Sequence, residues 1–234
     1  MANGTSYTRM SKQPRARQPA RKILIVDDHP LTRRGMVQLI GEQRDLAVCG
    51  EAGDAEQALA AVGSLRPDLV LADVTLPGKP GVELIKDIKA MHPAVLVLVV
   101  SMHDESLYAE RALRAGARGY LMKSEGGEKL IEAIRHVLAG KVYVSQNLSA
   151  KILEGLSGDH RREGSAVAAL SDREFEVFQY IGQGLTLREI GGRLHISAKT
   201  VETHRVHIRQ KLALTTNPEL TKYAVRWASA QDLV

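Results

Sequence analysis

ILIVDDHP (residues 23–30) runs four branched apolar residues straight into two adjacent carboxylates and then a proline. A short run without polar alternation is the spelling of a strand buried on both faces. The acids mark its carboxyl end, and Pro30 suits the first turn of a helix. The same grammar recurs at Leu46–Cys49, Leu69–Ala72, Val95–Val100 and Gly119–Met122. Each run is followed by a helix-length stretch with apolar residues three and four apart. Five such units predict an α/β, doubly wound, five-stranded parallel sheet covered on both faces. The last helix of the set, about Glu125–Ala139, stops at Gly140.

Outward from this core the text changes in both directions. Residues 1–21 contain Pro14, Pro19 and scattered Arg without apolar periodicity, and read as a disordered basic tail. The sheet domain is expected over 22–143. Residues 144–166 read as a linker, with Gly and charge concentrated in Ser157–Ser165. A small all-α domain follows over 167–234. Three of its helix starts carry a hydroxyl residue followed three later by Glu: Ser171–Glu174, Thr186–Glu189 and Thr216–Glu219. Ser197 can cap a further helix reaching Leu212.

The 234 residues hold 44% hydrophobic and 25% charged side chains, which excludes disorder throughout. No run of eighteen apolar residues occurs, so no membrane span or membrane partner is expected. The N-terminus lacks the apolar core of a secretory signal, and the single Cys49 makes no internal disulfide, so a cytoplasmic location is expected. The net charge of +5 is concentrated at one end: residues 1–22 carry +6, 23–143 carry −3 and 164–234 carry +2. No domain is strongly basic, so DNA binding has to rest on a motif.

In a doubly wound sheet, ligands bind outside the carboxyl ends of the strands. Those ends hold Asp27 and Asp28, Asp73, Ser101 and Lys123. Three converging carboxylates repel one another unless a cation intervenes, and an all-oxygen set suits Mg²⁺. Lys123 can hold an anion beside the metal, and Ser101 adds a hydroxyl donor. This is equipment for phosphoryl transfer. ILIVDDHP, DLVLADVTLPG (68–78), LVVSMHD (98–104) and GARGYLMKS (116–124) together resemble the flavodoxin-like receiver domain of two-component response regulators. The resemblance implies that Asp73 is the phosphoacceptor. It further implies that Asp28, Asp73 and the Thr75 carbonyl ligate Mg²⁺, with Asp27 acting through water. Ser101 and Lys123 would contact the phosphoryl group, and Tyr120 would reposition on activation. His29 reads as the opening residue of the first helix. An aspartyl phosphatase of the haloacid-dehalogenase type is disfavoured, because the position two after Asp73 is Thr75. A dinucleotide enzyme is disfavoured by the missing GxGxxG after the first strand.

LSDREFEVFQYIGQGLTLREIGGRLHISAKTVETHRVHIRQKLAL (170–214) spells a helix at Thr186–Leu194, a tight turn at His195–Ile196 and a second helix from Ser197 to Leu212. At 100° per residue, Val201, His204, Arg205, Ile208 and Leu212 share the inward face. Lys199, Thr203, Val206 and Gln210 point outward, flanked by Glu202 and His207, a mixture suited to reading a major groove. Thr200, Arg209 and Lys211 stand at the flanks, where DNA phosphates would lie. The segment resembles the LuxR-type DNA-binding domain, and the whole chain resembles a NarL/FixJ-family regulator. Gly191–Gly192 departs from that pattern, at about 1 kcal/mol per glycine. The resemblance implies a cognate sensor histidine kinase, double-stranded promoter DNA and a homodimer as partners. Catalysis on an outside substrate is not expected, beyond phosphorylation and dephosphorylation of Asp73. The alternatives are a phosphorylation-independent regulator and a protein-docking module with the same folds.

Overall fold

A computed structural model describes residues 19–103, 105–146, 148–150 and 164–232. The elements alternate as expected: β1 (Arg21–Val26), α1 (Pro30–Gly41), β2 (Leu46–Ala52), α2 (Ala55–Leu65), β3 (Leu69–Ala72), α3 (Gly81–Met91), β4 (Leu96–Ser101), α4 (Glu105–Arg114), β5 (Gly119–Met122) and α5 (Gly127–Leu138). A single 3₁₀ turn, Lys123–Glu125, joins β5 to α5. The five strands are parallel in the order β2-β1-β3-β4-β5. Successive side chains alternate between two apolar layers. Ile23, Ile25, Leu69, Leu71, Leu98 and Val100 pack with residues of α1 and α5. Leu24, Val26, Val70, Ala72, Val97 and Val99 pack with residues of α2, α3 and α4.

β1 begins at Arg21, inside the stretch expected to be tail. Asp68 explains this, accepting from the Arg21 guanidinium and from the Lys22 amide, both at 2.8 Å. The rest of the expected tail, residues 1–18, and the expected linker core, 151–163, lie outside the described residues.

The second domain comprises α6 (Gly164–Ala168), α7 (Asp172–Gly182), α8 (Leu187–Leu194), α9 (Ala198–Lys211) and α10 (Asn217–Asp232). All three hydroxyl–Glu starts form their reciprocal bonds. α7 is buried along Asp172–Ile181, polar residues included, because it is packed from two sides. Phe178 meets Tyr223 and Trp227 of α10 on one side. On the other, Phe175 stands edge-on to Tyr108 at 5.4 Å, with the Arg111 guanidinium 4.1 Å above its ring. Arg111 also donates to the Val167 and Leu170 carbonyls and to Asp172, which pairs with Lys86 at 2.7 Å. The sheet domain therefore grips α7 and the segment leading into it.

Candidate functional site

The carboxyl ends of β1, β3, β4 and β5 bring the expected pocket residues together. The Asp73 amide donates to the Val26 carbonyl at 2.9 Å, holding the ends of β3 and β1 level. Gly81 lets the chain close over this point. A Cβ there would lie 2.0 Å from the Asp73 carbonyl oxygen, so no other residue fits without moving the backbone. Asp27 is 1% exposed and Asp73 5%. Lys123 Nζ lies between them, 2.7 Å from Asp27 Oδ2 and 2.5 Å from Asp73 Oδ2. Burial works against the Lys123 ammonium, but the two carboxylates outweigh it and hold its pKa above the usual lysine value.

Asp73 Oδ1 accepts from the Thr75 amide at 3.2 Å. Asp27 Oδ1 accepts from the His29 amide at 2.8 Å. Asp27 Oδ2 and Asp28 Oδ1 are buried, and their nearest partners are the Lys123 ammonium at 2.7 Å and the His29 ring at 2.6 Å. The ligand atoms of Asp27, Asp28, His29 and Asp73 all lie within 4.8 Å of one another. Three carboxylates gathered in so small a volume, with one lysine between two of them, fit a hard divalent cation.

Ser101 is fully buried, and its Oγ accepts from the His103 amide at 3.2 Å. Tyr120 is buried, with its hydroxyl donating to the His103 carbonyl at 2.9 Å. The His103 ring in turn shares a 2.8 Å hydrogen bond with Thr75 Oγ1 and lies 5.0 Å from the Tyr108 ring. Burial lowers the His103 pKa against the opposing pull of Asp73. His103 thus touches Thr75, Ser101 and Tyr120, a role that sequence reading did not assign. Its position two residues beyond Ser101, at the end of β4, was the available signal.

In the second domain, Thr186 caps α8, His195 adopts a left-handed conformation (φ 54°) to end it, and Ser197 caps α9. This is the two-helix arrangement expected for groove reading. Val201 and Ile208 are buried, while Lys199, Thr200, Thr203, His207 and Gln210 are exposed. Val206 is half-buried rather than fully exposed, as is Glu202, which pairs with Arg205 at 3.1 Å. Arg209 and Lys211, expected at phosphates, already have partners within the domain. Arg209 donates to the Thr215 carbonyl at 2.7 Å, and Lys211 to Glu174 at 2.6 Å.

Residues 23–135 match the model of the response regulator receiver domain, and residues 168–224 match that of bacterial regulatory proteins of the luxR family. The response regulator GacA of Pseudomonas aeruginosa is 36% identical over 205 residues, covering 88% of this chain and 95% of that protein. The oxygen regulatory protein NreC of Staphylococcus aureus is 34% identical over 210 residues, covering 88% and 97%. Among solved structures, RcsB of Salmonella enterica serovar Typhimurium, bound to promoter rprA with phosphomimetic BeF3-, is 25% identical with a TM-score of 0.60, covering 88% and 98%. A LuxR-family two-component response regulator from Aurantimonas sp. SI85-9A1 is 37% identical with a TM-score of 0.55, covering 59% of this chain and 99% of that one. With the parallel sheet, the acidic strand-end pocket and the helix-turn-helix, these matches place the chain in the family of two-component transcriptional response regulators with a receiver and a LuxR-type DNA-binding domain.

Proposed function

We propose that this chain works in the cytoplasm, where Asp73 accepts a phosphoryl group from a cognate sensor histidine kinase, and that this controls promoter binding by the second domain. The division we propose is a basic tail ending before β1 at Arg21, a receiver to about 143, a linker ending near Gly164 and a DNA-binding domain from there to 234. The observation that carries the reading is Lys123 Nζ at 2.5 Å from Asp73 Oδ2 and 2.7 Å from Asp27 Oδ2, one ammonium between two buried carboxylates.

Asp28, Asp73 and the Thr75 carbonyl would hold Mg²⁺, with Asp27 acting through water. The metal supplies charge neutralisation when bound. An Asp73 carboxylate oxygen attacks the phosphorus of the donor phosphohistidine, and the phosphorus–nitrogen bond breaks. Lys123 turns from the carboxylate to the transferred oxygens, where its charge is matched to about −1.5 to −2 of phosphate. The Ser101 hydroxyl would donate to the same group while its oxygen still accepts from the His103 amide, so movement of Ser101 draws the loop carrying His103, and Tyr120 follows through its bond to the His103 carbonyl.

On the output side, α9 would enter the major groove with Lys199, Thr203, Val206, His207 and Gln210 toward the bases. Thr200 and the helix flanks would meet phosphates. Two copies pairing as a homodimer would read two half-sites. Incubation with a small acyl-phosphate donor and Mg²⁺ tests the first step. Labelling of the native chain and none of Asp73→Asn is expected. Equal labelling of both would overturn the assignment.

A further inference from the structure

α7 is polar on a side that the fold hides. At 100° per residue, Asp172, Arg173, Phe175, Glu176, Gln179 and Tyr180 fall within an arc of about 160°. Phe178 falls outside it, where it meets Tyr223 and Trp227 of α10. The arc faces the receiver along its length. Asp172 pairs with Lys86 of α3 and Arg111 of α4, Arg173 donates to the Gly78 carbonyl, and Phe175 stands against Tyr108 of α4. All six residues are buried, although four of them are charged or amide side chains. A helix face of that composition is ordinarily the solvent side. It suits a surface that is covered in one state of the chain and wet in another.

Glu176 lies within this face and is 2% exposed. It accepts from Arg173 at 2.7 Å, and the same guanidinium also serves the Gly78 carbonyl at 2.8 Å and the Leu194 carbonyl at 3.3 Å. One shared cation is thus its counter-charge. Its other charged neighbours oppose ionisation: Asp172 on α7 and Glu83 on α3 are acids. Lys86 and Arg111 are taken up by Asp172. The nearby phenols, Tyr108 of α4 and Tyr180 of α7, are themselves pushed up by the Glu176 charge, and Arg193 of α8 lies over the Tyr180 ring. Burial prevails over Arg173, and the Glu176 pKa rises to about 7.

We propose that seating of the second domain on the receiver takes up a proton on Glu176, so that acid holds the two domains together and a rise in pH releases them. Once the face is released, water replaces the receiver around Glu176 and its carboxyl returns toward 4.5. The docked form therefore holds the proton more tightly. Docking is favoured in full below 4.5 and weakens as pH rises through 7. From pH 6 to pH 8 the opening constant rises about tenfold.

The test uses the full chain with Cys49→Ala, so that one introduced thiol reports. Gln179→Cys places the thiol on the docked face, and Val201→Cys places it in the interior of the second domain, where Val201 is fully buried. Labelling by dithiobis(nitrobenzoate) is timed at pH 6 and pH 8, with Glu176 intact and in Glu176→Gln. The ratio of the two rates at one pH removes the ionisation of the thiol itself. For Gln179→Cys, the rate with Glu176 intact over the rate in Glu176→Gln should rise about tenfold from pH 6 to pH 8. The same rise should appear with Glu176 intact when glutathione is the reference, so the outcome does not hang on the folding of the variant. Val201→Cys should label far more slowly than Gln179→Cys throughout. Ratios unchanged with pH would overturn the proton link. Equal rates at the two positions would show that the face is uncovered only by unfolding, and would overturn release of an intact domain. Gln179→Cys labelling as fast as glutathione at both pH values would overturn the docking itself.

Discussion

Gly191 and Gly192 stand side by side in α8, and replacing each by Ala should move stability in opposite directions. Gly192 has open space where a Cβ would go, with nothing within 4 Å. Gly192→Ala therefore gains helix propensity alone, about 0.8–1 kcal/mol. At Gly191 a Cβ would stand 2.7 Å from the Ile196 carbonyl oxygen and 3.4 Å from the Ala198 amide nitrogen. That carbonyl belongs to the turn, which folds back because the Ile196 amide donates to the Gly191 carbonyl at 2.9 Å. Backbone faces backbone, so no flexible side chain can give way. Overpacking of this kind costs about 1–3 kcal/mol, which exceeds the propensity gain. The net for Gly191→Ala is a loss centred on about 1 kcal/mol and reaching about 2 kcal/mol, with the turn that sets α8 against α9 displaced. Thermal unfolding of the full chain reads both signs, at about 4–8 °C per kcal/mol for a domain of this size. DNA affinity should fall for Gly191→Ala and hold for Gly192→Ala. Two shifts of the same sign would refute the close-approach argument.

Three further outcomes are expected. Burial raises the Glu176 pKa to about 7 against the partial offset of Arg173, so the folded chain holds this proton more tightly than the unfolded one, near 4.5. Stability from this group is full below 4.5 and is lost as pH rises through 7, and Glu176→Gln should gain about 3 kcal/mol relative to native between pH 4 and pH 8 in denaturant unfolding; a pH-independent difference would contradict this. Lys123→Ala strands Asp27 and Asp73 in the core and should cost about 3–5 kcal/mol in chelator, with part recovered on adding Mg²⁺; no recovery would speak against a cation site. Val206→Lys should alter the base preference obtained by binding-site selection, on a scale of about 1–3 kcal/mol per base pair; an unchanged preference would remove Val206 from the readout.

The strand ends were legible because a parallel strand buried on both faces leaves an apolar run with a polar stop. β3 and β5 were read to the residue. β2 was read short. It continues through Gly50 and Glu51 to Ala52 because those residues pair with Leu24, Ile25 and Val26 after a register shift that skips Cys49 of β2. Nothing in their own propensity announces that pairing. The pocket acids and Lys123 were legible as a set, since the topology delivers strand ends to one edge.

His103 was not legible as a hub, because its role depends on a loop meeting Thr75 from another strand. Arg111 was equally silent. Its guanidinium spans α4, the approach to α7 and the Phe175 ring, partners that no local pattern links. The same holds for Arg173, which reaches the Gly78 carbonyl at 2.8 Å just beyond the acceptor strand. The two domains were visible separately, whereas their contact is a matter of surfaces with no sequence period. Of the doubled glycine, the structure explains Gly191 through the Ile196 carbonyl; nothing in it explains Gly192.

Control of the second domain by Asp73 is the central claim. The most direct measurement is the affinity of the full chain for its selected DNA site, with and without beryllofluoride and Mg²⁺, for the native protein and Asp73→Asn. The native chain should bind more tightly when the phosphoryl mimic is present, and Asp73→Asn should not respond. An unresponsive native chain, or a gain that survives in Asp73→Asn, would contradict the account.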